Sequence, residues 1–243
     1  MRTLLILWRR ELTSSFLSPV AYVTMSTYLF VAGWTFLQAV EANSGQQETP
    51  ETLLFVSVFF WLPLFVTSIT MRLFAEEKRS GTIESLMTAP ITDLQVVLGK
   101  FLGAFCFLVF SAVPAMGIAY LLQWLSPGIT SMDGGCMLGG LLIFLAISGF
   151  CIAIGLLASL LTRNQIVAAI ACFVAICAPF LIRSAGASLP FGSDRALEYL
   201  SADTHIVDFS RGSIDTRPLV LYLSGTCFLL FTAVKVLESR RWR

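Results

Sequence analysis

The stretch from Arg72 to Lys100, RLFAEEKRSGTIESLMTAPITDLQVVLGK, decides how this chain is read, because it is the long, densely charged segment between runs of membrane-spanning hydrophobicity. Its grammar is helix, break, short helix, helix. Leu, Ala, Glu, Lys and Arg carry the preceding helix on through Arg72, Glu76, Glu77 and Arg79. Gly81 is the expected stop, free to take the left-handed conformation just past a helix end. Thr82 caps a short amphipathic piece whose Ile83, Leu86 and Met87 share a face while Glu84 points elsewhere, and Pro90 ends it. Thr92 with Gln95 has the form of a capping box, and Ile91 with Val96 occupies the staple positions, so the next helix starts at Asp93. A short helix is thereby presented at the tip of two long ones.

Outward from this segment, six apolar runs are long enough to cross a hydrocarbon core of roughly 30 Å. They cover about 20–40, 52–71, 97–124, 136–161, 166–182 and 218–237. Pro63 and Pro114 lie inside spans and are read as tolerated kinks. Gly99 with Gly103, and Gly149 with Ala153, have the four-residue spacing that lets membrane helices approach closely. The turn from Thr162 to Gln165 is so short that the fourth and fifth spans must be antiparallel neighbours. Residues 183–217 lack a spanning run and read as two short helices on the outer face, one around Ala196, Leu197, Tyr199 and Leu200 and one from Thr204 that Gly212 could stop.

Residues 1–18 form a separate amphipathic unit ahead of the six-span domain, 19–243. Leu4, Leu5, Trp8, Leu12 and Phe16 fall on one side of a helix and Arg9, Arg10, Thr13 and Ser14 towards the other. That is an interfacial helix, with Trp8 at headgroup depth and Arg9 and Arg10 on the anionic surface. The early apolar patch is too short for a signal-peptide core and lacks a small-residue cleavage site, so it is expected to be retained.

Of 243 residues, 56% are hydrophobic and 13% charged, which excludes a soluble domain of ordinary composition. A net charge of +1 offers no basic field for nucleic acid. The six cysteines lie in or beside apolar runs without CxxC spacing and read as packing residues, and the single histidine, His205, leaves little for a metal site. With the N-terminus inside, every Lys and Arg except Arg183, Arg195, Arg211 and Arg217 falls in the cytosol, so both termini and the Arg72–Lys100 segment are placed there.

No Walker A, HExxH, GxSxG or Ser-x-x-Lys pattern occurs, so the chain is not expected to be an enzyme or to hydrolyse ATP. Ser111 and Ser148 are expected to bond carbonyls of their own helices. The interiors of the spans read as free of Asp, Glu, Lys, Arg and His. Ion-driven carriers keep such groups for coupling, so energy must come from a partner. By themselves Glu76 to Arg79 read equally as a solvated helix end, and His205, Asp208 and Arg211 as outer-surface structure.

The run Arg72-Leu73-Phe74-Ala75-Glu76-Glu77-Lys78-Arg79-Ser80-Gly81-Thr82-Ile83-Glu84, followed by Leu86, Thr88, Pro90 and Gly99-Lys100, resembles the first cytosolic loop of ABC-2 type transporter permeases. Within them it is most similar to the branch of gliding-motility permeases and the copper-maturation permease of nitrous oxide reductase systems. Arg10-Glu11-Leu12, Ser18-Pro19, Asp208-Phe209-Ser210-Arg211-Gly212 and Ile214-Asp215 extend the resemblance over nearly the whole length. It implies an all-α, six-span subunit in the bacterial inner membrane. It also implies a coupling helix docked on a separate ATPase subunit that binds ATP and Mg, with no cofactor in this chain. The implied contact residues are Arg72, Glu76, Glu77, Arg79, Gly81, Thr82, Glu84, Leu86, Met87 and Pro90. Further partners are a second permease chain, identical or not, and an accessory membrane subunit. The alternative is a polytopic scaffold or lipid-acting enzyme without an ATPase partner.

Overall fold

The computed structural model describes residues 2–43, 48–81, 91–125, 132–186 and 201–241. Among these the regular secondary structure is entirely helical. In chain order the helices are α1 (Arg2–Leu17), α2 (Pro19–Ala42), α3 (Pro50–Thr70), α4 (Ala75–Ser80), α5 (Asp93–Leu125), α6 (Gly134–Leu161), α7 (Gln165–Gly186), α8 (Ala202–Ser210) and α9 (Thr216–Arg241). Among the described residues five segments are long and apolar enough to span a membrane, those built on α2, α3, α5, α6 and α9. The apolar part of α7, Gln165–Ala178, is shorter.

Helix α6 is the axis of the bundle and packs against α3, α5, α7, α8 and α9. Its sequence explains why. Between helices bathed in lipid, apolar burial supplies little net driving force, so close packing over small residues must do the work. A Cβ added at Gly140 would stand 2.2 Å from the Phe55 ring of α3, and one at Gly155 would stand 2.2 Å from Thr70 Oγ1. With Gly139, whose added Cβ would stand 2.6 Å from the Phe209 carbonyl oxygen of α8, they are the close-approach points of α6. Gly149, expected in that role, meets only ordinary contacts with Phe101 and Phe105, although Ala153 is fully buried. Helices α6 and α7 are packed neighbours across their short turn, as expected.

Several local expectations are met. Thr92 and Gln95 exchange both capping-box bonds at 3.4 Å, and α5 starts at Asp93. Gly81 has φ +73° after α4, and Gly212 has φ +85° after α8. Pro63 and Pro114 are accommodated inside unbroken α3 and α5. The short helix around Ala196 to Leu200 and the one beginning at Thr82 lie outside the described residues.

Others are corrected. The second span does not run on as one helix to Gly81; it ends at Thr70, and residues 71–74 form a turn before α4. The turn buries the Phe74 ring against Val96, Val97, Leu156 and Leu160. It survives because Ser159 of α6 satisfies the backbone it exposes. The Phe74 and Ala75 N–H groups each donate to Ser159 Oγ at 3.0 Å, and Ser159 Oγ donates to the Met71 carbonyl at 3.3 Å. Ser111 Oγ donates to its own helix at the Leu108 carbonyl, but the buried Ser148 Oγ has no such partner. Glu51, just ahead of the second apolar run, is a buried first-turn residue of α3 that accepts the Asp133 N–H.

Candidate coupling site

Helix α1 lies lengthwise and parallel along the start of α5. Leu7 sits over Gly99 and Glu11 over Gly103, where added Cβ atoms would come within 3.2 and 2.8 Å of the Leu7 and Glu11 Cβ atoms. Phe16 then packs edge-on against Phe107 and Phe110, with centroids 5.3 and 5.0 Å away. The small-residue spacing read from α5 is thus the seat of α1. The face that α1 turns inward is shifted from the one drawn from its apolar residues, keeping Trp8 and Phe16 but losing Leu5. Leu5 is exposed, while Glu11 and half-buried Trp8 face inward; Arg9 and Arg10 point out as expected.

This seat brings Glu11 to Lys100, about two turns into α5 and one turn past the start of its apolar run at Val97. Lys100 Nζ donates to Glu11 Oε1 at 3.1 Å and to Glu77 Oε1 of α4 at 2.8 Å, and stands 5.1 Å from the centroid of the Phe74 ring. The lysine side chain is 4% exposed and the two glutamates 19% and 20%. The expectation that the spans carry no ionisable group therefore fails at this end of α5. An ammonium buried this deeply needs several acceptors, and two carboxylates plus an aromatic face provide them. One cation thereby ties α1, the 71–80 segment and α5 together.

Lys78, next to Glu77, is committed elsewhere: its ammonium donates to the Leu160 carbonyl and, at 3.4 Å, to that of Thr162. A cation there completes orphan carbonyls at the C-terminus of α6 and suits the helix dipole. The Glu76 to Arg79 run is therefore not simply a solvated end. Its inner members Glu77 and Lys78 grip α5 and α6, while Glu76 and Arg79 remain exposed.

Between α1, α2 and the α3–α4 turn opens a cleft of about 300 Å³ lined by Arg10, Glu11, Ser14, Ser15, Ser18, Arg72, Glu76, Glu77 and Lys100. Arg72 faces this cleft rather than the tip of the loop. Its Nε is buried and finds no acceptor among the described residues. Thr82, Glu84, Leu86, Met87 and Pro90 lie outside the described residues, so of the expected contact residues the structure places Arg72, Glu76, Glu77, Arg79 and Gly81 together at one end of the bundle. Sequence reasoning missed Glu11, Lys100 and Ser159 as site residues. The available signal was a lysine one turn inside an apolar run, which the cost of burying charge marks for attention.

At the opposite end, α8 packs on α6 and α3. His205 is buried with Nδ1 3.0 Å from the Tyr222 hydroxyl. Burial lowers its pKa below the usual histidine value, and Asp208 and Asp215 oppose this in part. Arg211 pairs with Glu48 in the open at 2.6 Å. Among the described residues no group of three or more His, Cys, Asp or Glu side chains could hold a metal ion.

Residues 14–179, more than half of the chain and including α4, Lys100 and the whole of α6, match the model of the ABC-2 family transporter protein. The chain belongs to this ABC-2 family. It is accordingly a multi-pass membrane permease of an ABC transporter, and membership implies association with an ABC ATPase subunit. No curated protein matches the chain.

Proposed function

We propose that this ABC-2 permease converts ATP binding and hydrolysis on a separate subunit into movement of its spans, through the buried cluster Glu11–Lys100–Glu77. The observation that carries the reading is that Glu77, on the short helix leading into the Thr82–Pro90 loop, shares one buried lysine with α1 and α5. A push on that loop reaches two further helices without a flexible joint. The Thr82–Met87 piece is the coupling helix, with Leu86 and Met87 as apolar anchors in a groove of the ATPase and Glu84 orienting it by a charged hydrogen bond. ATP and Mg are held by that partner and not by this chain.

Six spans, with α7 as the fifth, put both termini in the cytosol of a bacterial inner membrane. Helix α1 acts as an elbow whose Arg9 and Arg10 meet anionic headgroups. A second permease chain completes the transporter, with room for an accessory membrane subunit. The pattern of the 72–100 segment favours the gliding-motility and nitrous-oxide-reductase-maturation branch, in which either export or transmitted force is the output.

Co-expression with an ABC ATPase subunit from the same source provides the test. Wild type is expected to co-purify with that ATPase and to support its turnover, and the chain alone to show none. Leu86→Asp, by placing an uncompensated charge in the groove, is expected to weaken pull-down at least tenfold at equal membrane abundance, the scale of a buried anchor. Undiminished pull-down and turnover with Leu86→Asp would overturn the coupling role.

A further inference from the structure

The cleft between α1, α2 and the α3–α4 turn has a second use that the cluster around Lys100 does not exhaust. Lys100 engages Glu11 and Glu77 on its inner wall. What remains is a guanidinium, Arg72, and a carboxylate, Glu76, which both line the cleft and form no ion pair with each other or with another described residue. A buried guanidinium nitrogen without an acceptor is a costly arrangement, and an added oxyanion would relieve it. Ser18, whose hydroxyl makes no capping bond to α2, stands on the same wall with Ser14. The floor is apolar, formed by Val20, Ile69 and Phe107.

From these features we infer that the cleft binds the headgroup of a zwitterionic membrane phospholipid bearing a primary ammonium, phosphatidylethanolamine in chemical terms. The phosphodiester is held by Arg72, with Arg10 and the serine hydroxyls beside it, and the ammonium by Glu76. Charge decides between headgroups. The cleft lining carries three basic and three acidic side chains, Arg10, Arg72 and Lys100 against Glu11, Glu76 and Glu77, so its sum is neutral. A purely anionic headgroup would use Arg72 and leave Glu76 repelling it. A choline headgroup satisfies the charges but has no N–H to donate, whereas a primary ammonium offers three. The apolar part of the lining selects an amphiphile over a free soluble zwitterion, since acyl chains continue onto Val20 and Ile69. This inference does not rest on the ATPase reading, because it uses only the residues that line the cleft.

The test is native mass spectrometry of the purified chain after delipidation and exposure to equal amounts of phosphatidylethanolamine, phosphatidylcholine and phosphatidylglycerol. Wild type is expected to retain one phosphatidylethanolamine in preference to the others. Arg72→Gln is expected to lower that retention about tenfold, the scale of a lost charge-assisted bond, and Arg72→Lys to restore part of it. Glu76→Gln is expected to abolish the preference over phosphatidylcholine while leaving phosphatidylglycerol bound equally or better, an outcome that general unfolding would not produce. Arg163→Gln, an exposed cation outside the cleft, should change nothing. Equal retention of all three lipids by wild type, or unchanged selectivity in both Arg72→Gln and Glu76→Gln, overturns the proposal. So does full displacement of the lipid by millimolar phosphoethanolamine, which would assign the site to a soluble ligand.

Discussion

The two ends of the bundle handle charge in opposite ways. At the α1 and α4 end, one lysine is buried and shared by glutamates from two other helical segments, so each partner is essential to the others. At the α8 end the ion pair Arg211–Glu48 lies in the open, with both side chains more than a third exposed, while the buried Glu51 meets a backbone N–H instead of a cation and His205 meets the Tyr222 hydroxyl. The first arrangement makes helices move together, because separating them strands a charge away from water. The second docks a short helix while leaving its charges to solvent, where screening removes most of their value. On the proposed coupling role, the stiff joint lies at the driven end and is not needed at the other.

The sharpest way to break this contrast is to remove the lysine. Lys100→Met is expected to destabilise the purified protein by about 3 kcal/mol, since two partly buried carboxylates lose their counterion. The triple change Lys100→Met, Glu11→Gln, Glu77→Gln should recover much of that loss, because the cost lies in the stranded charges. Thermal unfolding in detergent reads both, and a single mutant as stable as wild type would contradict the picture of a tied joint.

Next in size is the seat of α1. Gly103→Leu drives a side chain into the Glu11 backbone and Cβ, already only 2.8 Å from where its own Cβ would stand. A loss of about 2 kcal/mol is expected, typical of overpacking. Protease should then reach α1 sooner than in wild type, and unchanged cleavage would show that α1 is held by something other than α5.

A smaller effect is expected at His205. Its pKa is lowered in the folded state, so folding favours the neutral ring. That contribution is intact above the unfolded value of about 6.5 and declines as pH falls below it, because the unfolded chain binds the proton first. Stability should therefore drop on acidification below about pH 6.5, and His205→Gln should flatten that part of the profile. A slope that survives the substitution would assign it to other groups. The smallest effect is expected from Arg211→Ala, which should leave the unfolding midpoint within error of wild type, whereas a clear drop would mean the α8 end also relies on ion pairing.

How much of this was legible in the sequence depends on the range of each interaction. Features built from residues within about one turn of each other were readable. The Thr92–Gln95 capping box, the Gly81 and Gly212 stops and the brief α6–α7 turn follow from backbone geometry and nearest neighbours. The spans follow from the cost of exposing polar backbone and side chains to lipid, which composition reports directly. Family resemblance then attached an expected role to the 72–100 segment, but not the contacts that tie it to the neighbouring helices.

Those contacts are long-range, and only the tertiary structure decided them. Lys100 meets Glu11 from 89 positions away and Glu77 from 23. Ser159 completes the turn at Phe74 from 85 positions away. Nothing local distinguishes a lysine one turn into an apolar run that will reach water from one that will be enclosed. The choice is made when Gly99 and Gly103 admit α1, closing Glu11 over the same lysine that α4 approaches from the other side. Amphipathic pattern misjudged α1 for the same reason. It gave Glu11 no place on the inward face and put Leu5 there, while the energy of pairing a buried ammonium turned the Glu11 side of the helix inward and left Leu5 outside. Sequence alone determined that this chain is a helical membrane permease; three-dimensional proximity determined which charges leave water, and thus where its parts are joined.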